Sequence, residues 1–141
     1  MAVGDITAFD EGKANMLGWA DADVIMCAIL DNTTTPTAAD ATPALADYTE
    51  VGAAGSYTAG GTSLGTWANF RSEASGTVTL DSTTNPTWTQ NASNDTDASW
   101  ALVYNTTQAG DPALFFVELG TVDMTAGPLT VTWNASGLAS F

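Results

Sequence analysis

Val24-Ile25-Met26-Cys27-Ala28-Ile29-Leu30 is an unbroken apolar run with no polar alternation. A strand with one wet face alternates between apolar and polar residues, whereas a strand covered on both faces does not. The flanking Asp21, Asp23 and Asp31-Asn32 break helices, so the run predicts a central strand. Downstream of residue 56 the chain reads consistently as β. Trp100–Tyr104 and Ala113–Leu119 are apolar on both faces, and Thr77–Leu80, Thr87–Thr89 and Leu129–Asn134 alternate. Ser75-Gly76, Asn85-Pro86, Gly110-Asp111-Pro112, Gly127-Pro128 and Ser136-Gly137 punctuate the strands as turns. Short strands at this spacing predict a mainly β fold, an antiparallel β-sandwich of jelly-roll-like or meander type.

Upstream, residues 5–18 predict one short N-terminal α-helix. Thr7 is placed to cap it, and Asp10 and Glu11 would fall in the first turn, where the helix dipole favours negative charge. Phe9, Met16 and Leu17 would share its buried face, Gly12 would weaken it, and Gly18 would stop it. Residues 31–55 are Thr-, Ala- and Pro-rich and predict a long loop or arm that orders against a neighbour. The whole, residues 1–141, reads as a single domain, large enough to bury a core without disulfide or metal support.

Charge narrows the chemistry. The chain has 16 acidic residues, 2 basic ones and no histidine, for a formal net charge of −14. Nucleic-acid binding relies on Lys and Arg at phosphates, and anionic membranes attract cations, so neither partner is expected. Without histidine, Ser-His-Asp, Cys-His and His-metal chemistries are excluded. Cys27, the only cysteine, sits inside the apolar run and reads as a small buried hydrophobe. No signal peptide is read at the N-terminus, and the five Asn-X-Ser/Thr sequons at Asn32, Asn91, Asn94, Asn105 and Asn134 reflect a composition rich in Asn, Thr and Ser.

Three groups of residues remain as candidates. Asn91–Asp97 crowds oxygen ligands into one loop, with Asp95 and Asp97 as a weak calcium pair, but it lacks the Gly and Glu of an EF-hand. Glu118 is the one Glu near a strand centre, and a solvated strand end accounts for it, so no catalytic residue, enzyme activity or cofactor is assigned. Of the aromatics, Trp67 and Phe70 are the least obviously core and are candidates for a partner-facing patch. Val3, Ile6 and Phe141, apolar residues near the termini, are candidate contacts with a partner or with another copy.

The order of segments carries a resemblance. A short N-terminal helix precedes Val24–Asn32, followed by Thr/Pro; then come Gly55–Gly61, Ala101–Asn105 and the ending Leu129–Leu138, with Tyr57–Gly61 and Trp133–Leu138 the most specific pieces. This resembles a group of small structural proteins of tailed bacteriophages, some of which decorate the capsid as cement proteins. The resemblance implies a homo-oligomer, a trimer, made in the bacterial cytoplasm and bound on the virion surface to the major capsid protein, which it would stabilise by bridging capsid subunits. An alternative is a tail or fibre β-domain that binds host-surface glycan.

Overall fold

The computed structural model describes residues 4–134 and 137–140, with Ala139 and Ser140 described through their backbone. In chain order the elements are β1 (Ile6–Ala8), α1 (Asp10–Asn15), a 3-10 turn (Met16–Gly18), β2 (Val24–Leu30), a second 3-10 turn (Leu45–Asp47) and β3 (Thr62–Thr66). They continue with α2 (Trp67–Phe70), β4 (Arg71–Ala74), β5 (Thr77–Leu80), β6 (Thr87–Trp88), β7 (Ala98–Asn105), β8 (Ala113–Val122), β9 (Leu129–Thr130) and β10 (Ala139–Ser140). A five-stranded sheet runs β1-β8-β7-β2-β3, a three-stranded one β10-β5-β4, and β6 pairs with β9. Every pairing is antiparallel.

The apolar run opens out as expected of a doubly covered strand. Ile25, Cys27 and Ile29 face one core; Ala28 and Leu30 face the other. β7 and β8 divide likewise. Ala101, Val103, Phe115 and Val117 join the first core, while Leu102, Tyr104 and Phe116 join the second. The register aligns them, with Ala28 opposite Leu102 and Leu102 opposite Phe116. The first core also takes in Phe70 and Leu80 beside the three-stranded sheet and Trp88 and Leu129 from the two-stranded one. The small sheets therefore pack on one face of the large one, a sandwich-like arrangement.

The other face is covered differently. Residues 31–55, expected to order against a neighbour, fold back on their own domain. Asp31 N–H donates to the Thr49 carbonyl (2.9 Å) and Val51 N–H to the Ile29 carbonyl (3.1 Å). Glu50 thereby bridges to Leu30 at the edge of β2, just beyond the Val24–Cys27 stretch that β3 pairs. At the far end of the cover Ala113 N–H donates to the Pro43 carbonyl (2.8 Å). Between these anchors Tyr48 packs on Phe9, and Phe9 on Phe116 (ring centroids 6.1 and 4.8 Å). The segment is a loop, as read, but it reaches for β2 and β8 because they offer it backbone partners and an uncovered apolar face.

The expected 5–18 helix is also corrected. Ile6–Ala8 join the large sheet as β1, opposite Val117, Phe116 and Phe115, so Thr7 is a strand residue rather than a cap. The helix is confined to Asp10–Asn15, with Phe9 at its N-cap. Phe9 is buried and Met16 packs on the first core, but Leu17 is exposed. Gly12 does more than weaken a helix. A Cβ there would lie 2.8 Å from the Ala113 carbonyl oxygen, so glycine permits α1 to sit against β8. Gly61 is tighter still: it has φ +75°, and its Cβ would meet the Cys27 carbonyl oxygen.

Candidate functional site

The terminal candidates come first. Val3 and Phe141 lie outside the described residues. Ile6 is half-buried in β1, where the edge of the large sheet meets the two-stranded sheet. Among the described residues β1 pairs with Phe115 to Val117 of β8, Gly4 N–H adds a bond to the Glu118 carbonyl (2.7 Å), and β8 runs on to Val122. Across from that extension pass β9 and the chain that follows it, held by Val131 N–H donating to the Pro86 carbonyl (3.0 Å). Ile6, Leu119, Val122, Leu129, Val131 and Trp133 line the intervening groove, which has a volume of about 270 Å³. Its walls are mostly apolar, with Glu118 at one margin.

Trp67 and Phe70 are not a partner-facing patch. They are 3% and 0% exposed. The single turn of α2 points both rings inward, Trp67 edge-on to Trp19 (centroids 5.1 Å) and stacked with Phe70 (6.0 Å). Trp67 N–H and Ala68 N–H donate to the Asp23 and Asp21 carbonyls (2.7 and 3.1 Å), which fixes the turn to the loop before β2. Arg71 closes the turn from outside: its guanidinium lies 5.9 Å from the Trp67 ring centroid and pairs with Asp21 at 2.7 Å. The other cation, Lys13, pairs with Asp10 at 2.8 Å. Both basic side chains are thus engaged by this chain's own carboxylates.

The Asn91–Asp97 loop is stapled to the rest of the molecule. Asn94 is buried; its amide nitrogen donates to the Thr89 and Met124 carbonyls (3.0 and 3.1 Å), and its oxygen accepts from Ser56 N–H (2.8 Å). Asp95 accepts from Gly52 N–H (3.0 Å) and Thr96 N–H (2.8 Å). The Gly52 amide and a hydrogen bond shared with Asp97 hold the Asp95 carboxyl below its usual range, and the same shared bond pushes Asp97 up. Among the described residues no three His, Cys, Asp or Glu side chains converge as a metal site. The Asp95 carboxyl ties the loop to residue 52.

Two further polar networks are structural in the same sense. Tyr57 Oη accepts from Ile29 N–H (3.1 Å) and donates to Glu50 (2.6 Å), which also accepts from Gly60 N–H (2.7 Å). Asp23, 3% exposed, accepts from the Asn105 and Gln108 side-chain amides (2.9 and 2.6 Å), and these bonds, Asn105 first, draw its carboxyl below the usual range. Burial pushes the Cys27 thiol up to about 12, so it is an inert core residue.

One aromatic was read in the sequence only as part of the apolar run Trp100–Tyr104. Among the described aromatic residues Trp100 alone is not buried. It opens the apolar run of β7 and is directly opposite Glu118 on β8, the carboxylate that interrupts the apolar stretch Ala113–Leu119 of that strand. That cross-strand pairing was the signal, and it needed the register to be read. Comparison with known proteins leaves the geometry to speak for itself: no family model, no curated protein and no solved structure matches this chain.

Proposed function

We propose that this protein is a structural component of a tailed-phage particle, a decoration protein bound to the major capsid protein as a homo-oligomer, a trimer. The observation that carries the reading is the apolar groove at the sheet edge, between β8 and the β9 segment. A groove of this shape suits an extended apolar segment, which can pair its backbone with a strand edge and place alternate side chains in the groove. Ile6, one of the sequence candidates, is among its lining residues. The resemblance carried by Tyr57–Gly61 and Trp133–Leu138 supports the same reading.

The charge then acts on the approach rather than the contact. With a net charge of −14 and its two cations already paired, the chain repels other copies and other acidic surfaces. Salt screens that repulsion over a Debye length of about 10 Å at 0.1 M. Apolar burial in the groove would then hold the protein on a shell, and because only the assembled shell offers the site, binding stabilises the shell by mass action.

The test is rebinding of purified protein to heads stripped of it. Val122→Asp and Ile6→Asp should remove rebinding while leaving the fold intact, and occupancy should rise as salt is raised from very low values. Rebinding that survives both substitutions, or that falls with added salt, would overturn the groove as the contact. Trp67 and Phe70 lend no support to the alternative of a tail or fibre domain binding host-surface glycan, because both are core.

A further inference from the structure

The half-exposed Trp100 sits in a pocket of its own. The pocket is about 190 Å³ in volume and is lined by Trp100 and Ser99 of β7, Glu118 and Thr121 on β8, and Asn32 just past β2. It lies where the cover over the second face begins. Residues 31–55, through Tyr48, cover the core that holds Phe9 and Phe116, but Trp100 only touches that core from its margin, edge-on to Phe116 at 6.1 Å. The indole N–H of Trp100 makes no hydrogen bond with a described residue, and neither does the carboxylate of Glu118; the Trp67 indole N–H is likewise unpartnered but closed off in the core, whereas that of Trp133 donates to the Thr84 carbonyl (2.7 Å).

We infer that this pocket binds a neutral sugar ring. The pocket offers a large apolar ring surface rimmed by a carboxylate, an amide and hydroxyls, with one indole donor. A pyranose has the matching character: a C–H face that packs on an aromatic and an edge of hydroxyls that both donate and accept. Glu118 accepts from two adjacent hydroxyls, Asn32 and Thr121 donate or accept at the rim, and the Trp100 N–H serves an oxygen. The volume admits one ring rather than a chain. An acidic sugar is excluded by Glu118 and by the surrounding negative charge. The inference does not depend on where the protein sits in a particle, so its failure leaves the decoration reading standing, and the reverse also holds.

The experiment follows the indole N–H of Trp100 by NMR, assigned by its disappearance in Trp100→Phe. The folded wild-type chain is titrated with methyl glycosides of neutral hexoses and of N-acetylhexosamines. Parallel titrations use N-acetylneuraminic acid and a guanidinium compound, arginine ethyl ester. The expected result is a saturable shift at Trp100, in the millimolar range, with at least one neutral glycoside and none with the acidic sugar. Glu118→Gln should weaken it about three- to tenfold, the effect of one charged hydrogen-bond partner, and Trp100→Ala should abolish the matching shifts of the Thr121 and Asn32 amides. If Trp100→Ala fails to fold, Glu118→Gln alone carries the comparison. No saturable shift with any neutral glycoside overturns the inference, as does a shift with the guanidinium alone, which would mark a pocket for a basic side chain of a partner. A neutral-glycoside shift indifferent to Glu118→Gln and Trp100→Ala would also overturn it.

Discussion

The two faces of the five-stranded sheet are buried by different means. One is covered by other strands, so Phe115, Val117 and Ile29 meet Phe70, Leu80, Trp88 and Leu129 in a core built from regular elements. The other is covered by α1 and an irregular loop, and there Phe116, Leu102 and Leu30 meet Phe9 and Tyr48. The strand-covered face has its partners fixed by ladders of backbone hydrogen bonds. The loop-covered face depends on a few anchors at Asp31, Val51 and Ala113. Cover made this way ends abruptly, and where it ends Trp100 is left half in solvent. A solid core and an accessible aromatic therefore occur on one sheet because its two faces are closed with unequal completeness.

The comparison breaks most readily at the cores themselves. Phe115→Ala should cost about 3–5 kcal/mol, since the ring is fully buried and its neighbours are held in strands that cannot collapse into the cavity. Tyr48→Ala should cost less, about 2 kcal/mol, because the loop above it can close the gap, and the loss should come with faster hydrogen exchange at the Asp31 and Val51 amides. Equal costs and unchanged exchange would show that the loop is as rigid a cover as the sheets. Denaturant unfolding of both variants makes the measurement.

The tryptophans give a second, smaller contrast. Trp67→Ala should cost about 3–5 kcal/mol, and Trp100→Ala no more than about 1.5, as for a side chain at the core's margin. Similar losses in thermal or chemical unfolding would mean that Trp100 is as structural as Trp67, and would take away the premise of an accessible pocket.

A still smaller effect distinguishes the polar staples. Asp23, Asp95 and Asp123 have carboxyls held below the ordinary value of 3.8 by hydrogen bonds, from the Asn105 amide, the Gly52 N–H and the Thr125 hydroxyl respectively. Each binds its proton more weakly folded than unfolded. Their stabilisation is complete above the unfolded value and is lost as pH falls through the lower folded one. Asp97, pushed up by Asp95, has the opposite sign: its contribution favours the fold at low pH and is lost as pH rises through its folded value. Unfolding curves should therefore show stability falling below about pH 4, and Asp23→Asn should flatten that fall. An unchanged slope would mean that the Asn105 and Gln108 bonds do not distinguish the ionised from the neutral carboxyl.

Residue type and periodicity made some of this legible. β2, β7 and β8 could be read because apolar residues on both faces have one explanation at that length. The alternating Thr77–Leu80 was legible for the complementary reason, whereas of the alternating Leu129–Asn134 only Leu129 and Thr130 form a strand. The 5–18 helix was half right, because its periodicity could not reveal that the β8 edge would claim Ile6–Ala8. The inward turn of Trp67 and Phe70 rests on Trp19 and on amides bonded to Asp21 and Asp23, all remote from local pattern. The Trp100–Glu118 pocket depends on a register between two strands, which single-strand patterns do not contain. No helix among the described residues is long and apolar enough to cross a membrane, which agrees with an apolar run that forms a strand instead.

The central functional claim is that many copies of this chain cover a shell. Quantitative mass spectrometry of intact particles tests it most directly, by counting this chain against the major capsid protein. The account predicts a fixed ratio to capsid subunits, maintained from particle to particle and lost when the groove variant Val122→Asp replaces the wild-type chain. A handful of copies per particle, in step with tail components instead, would contradict it.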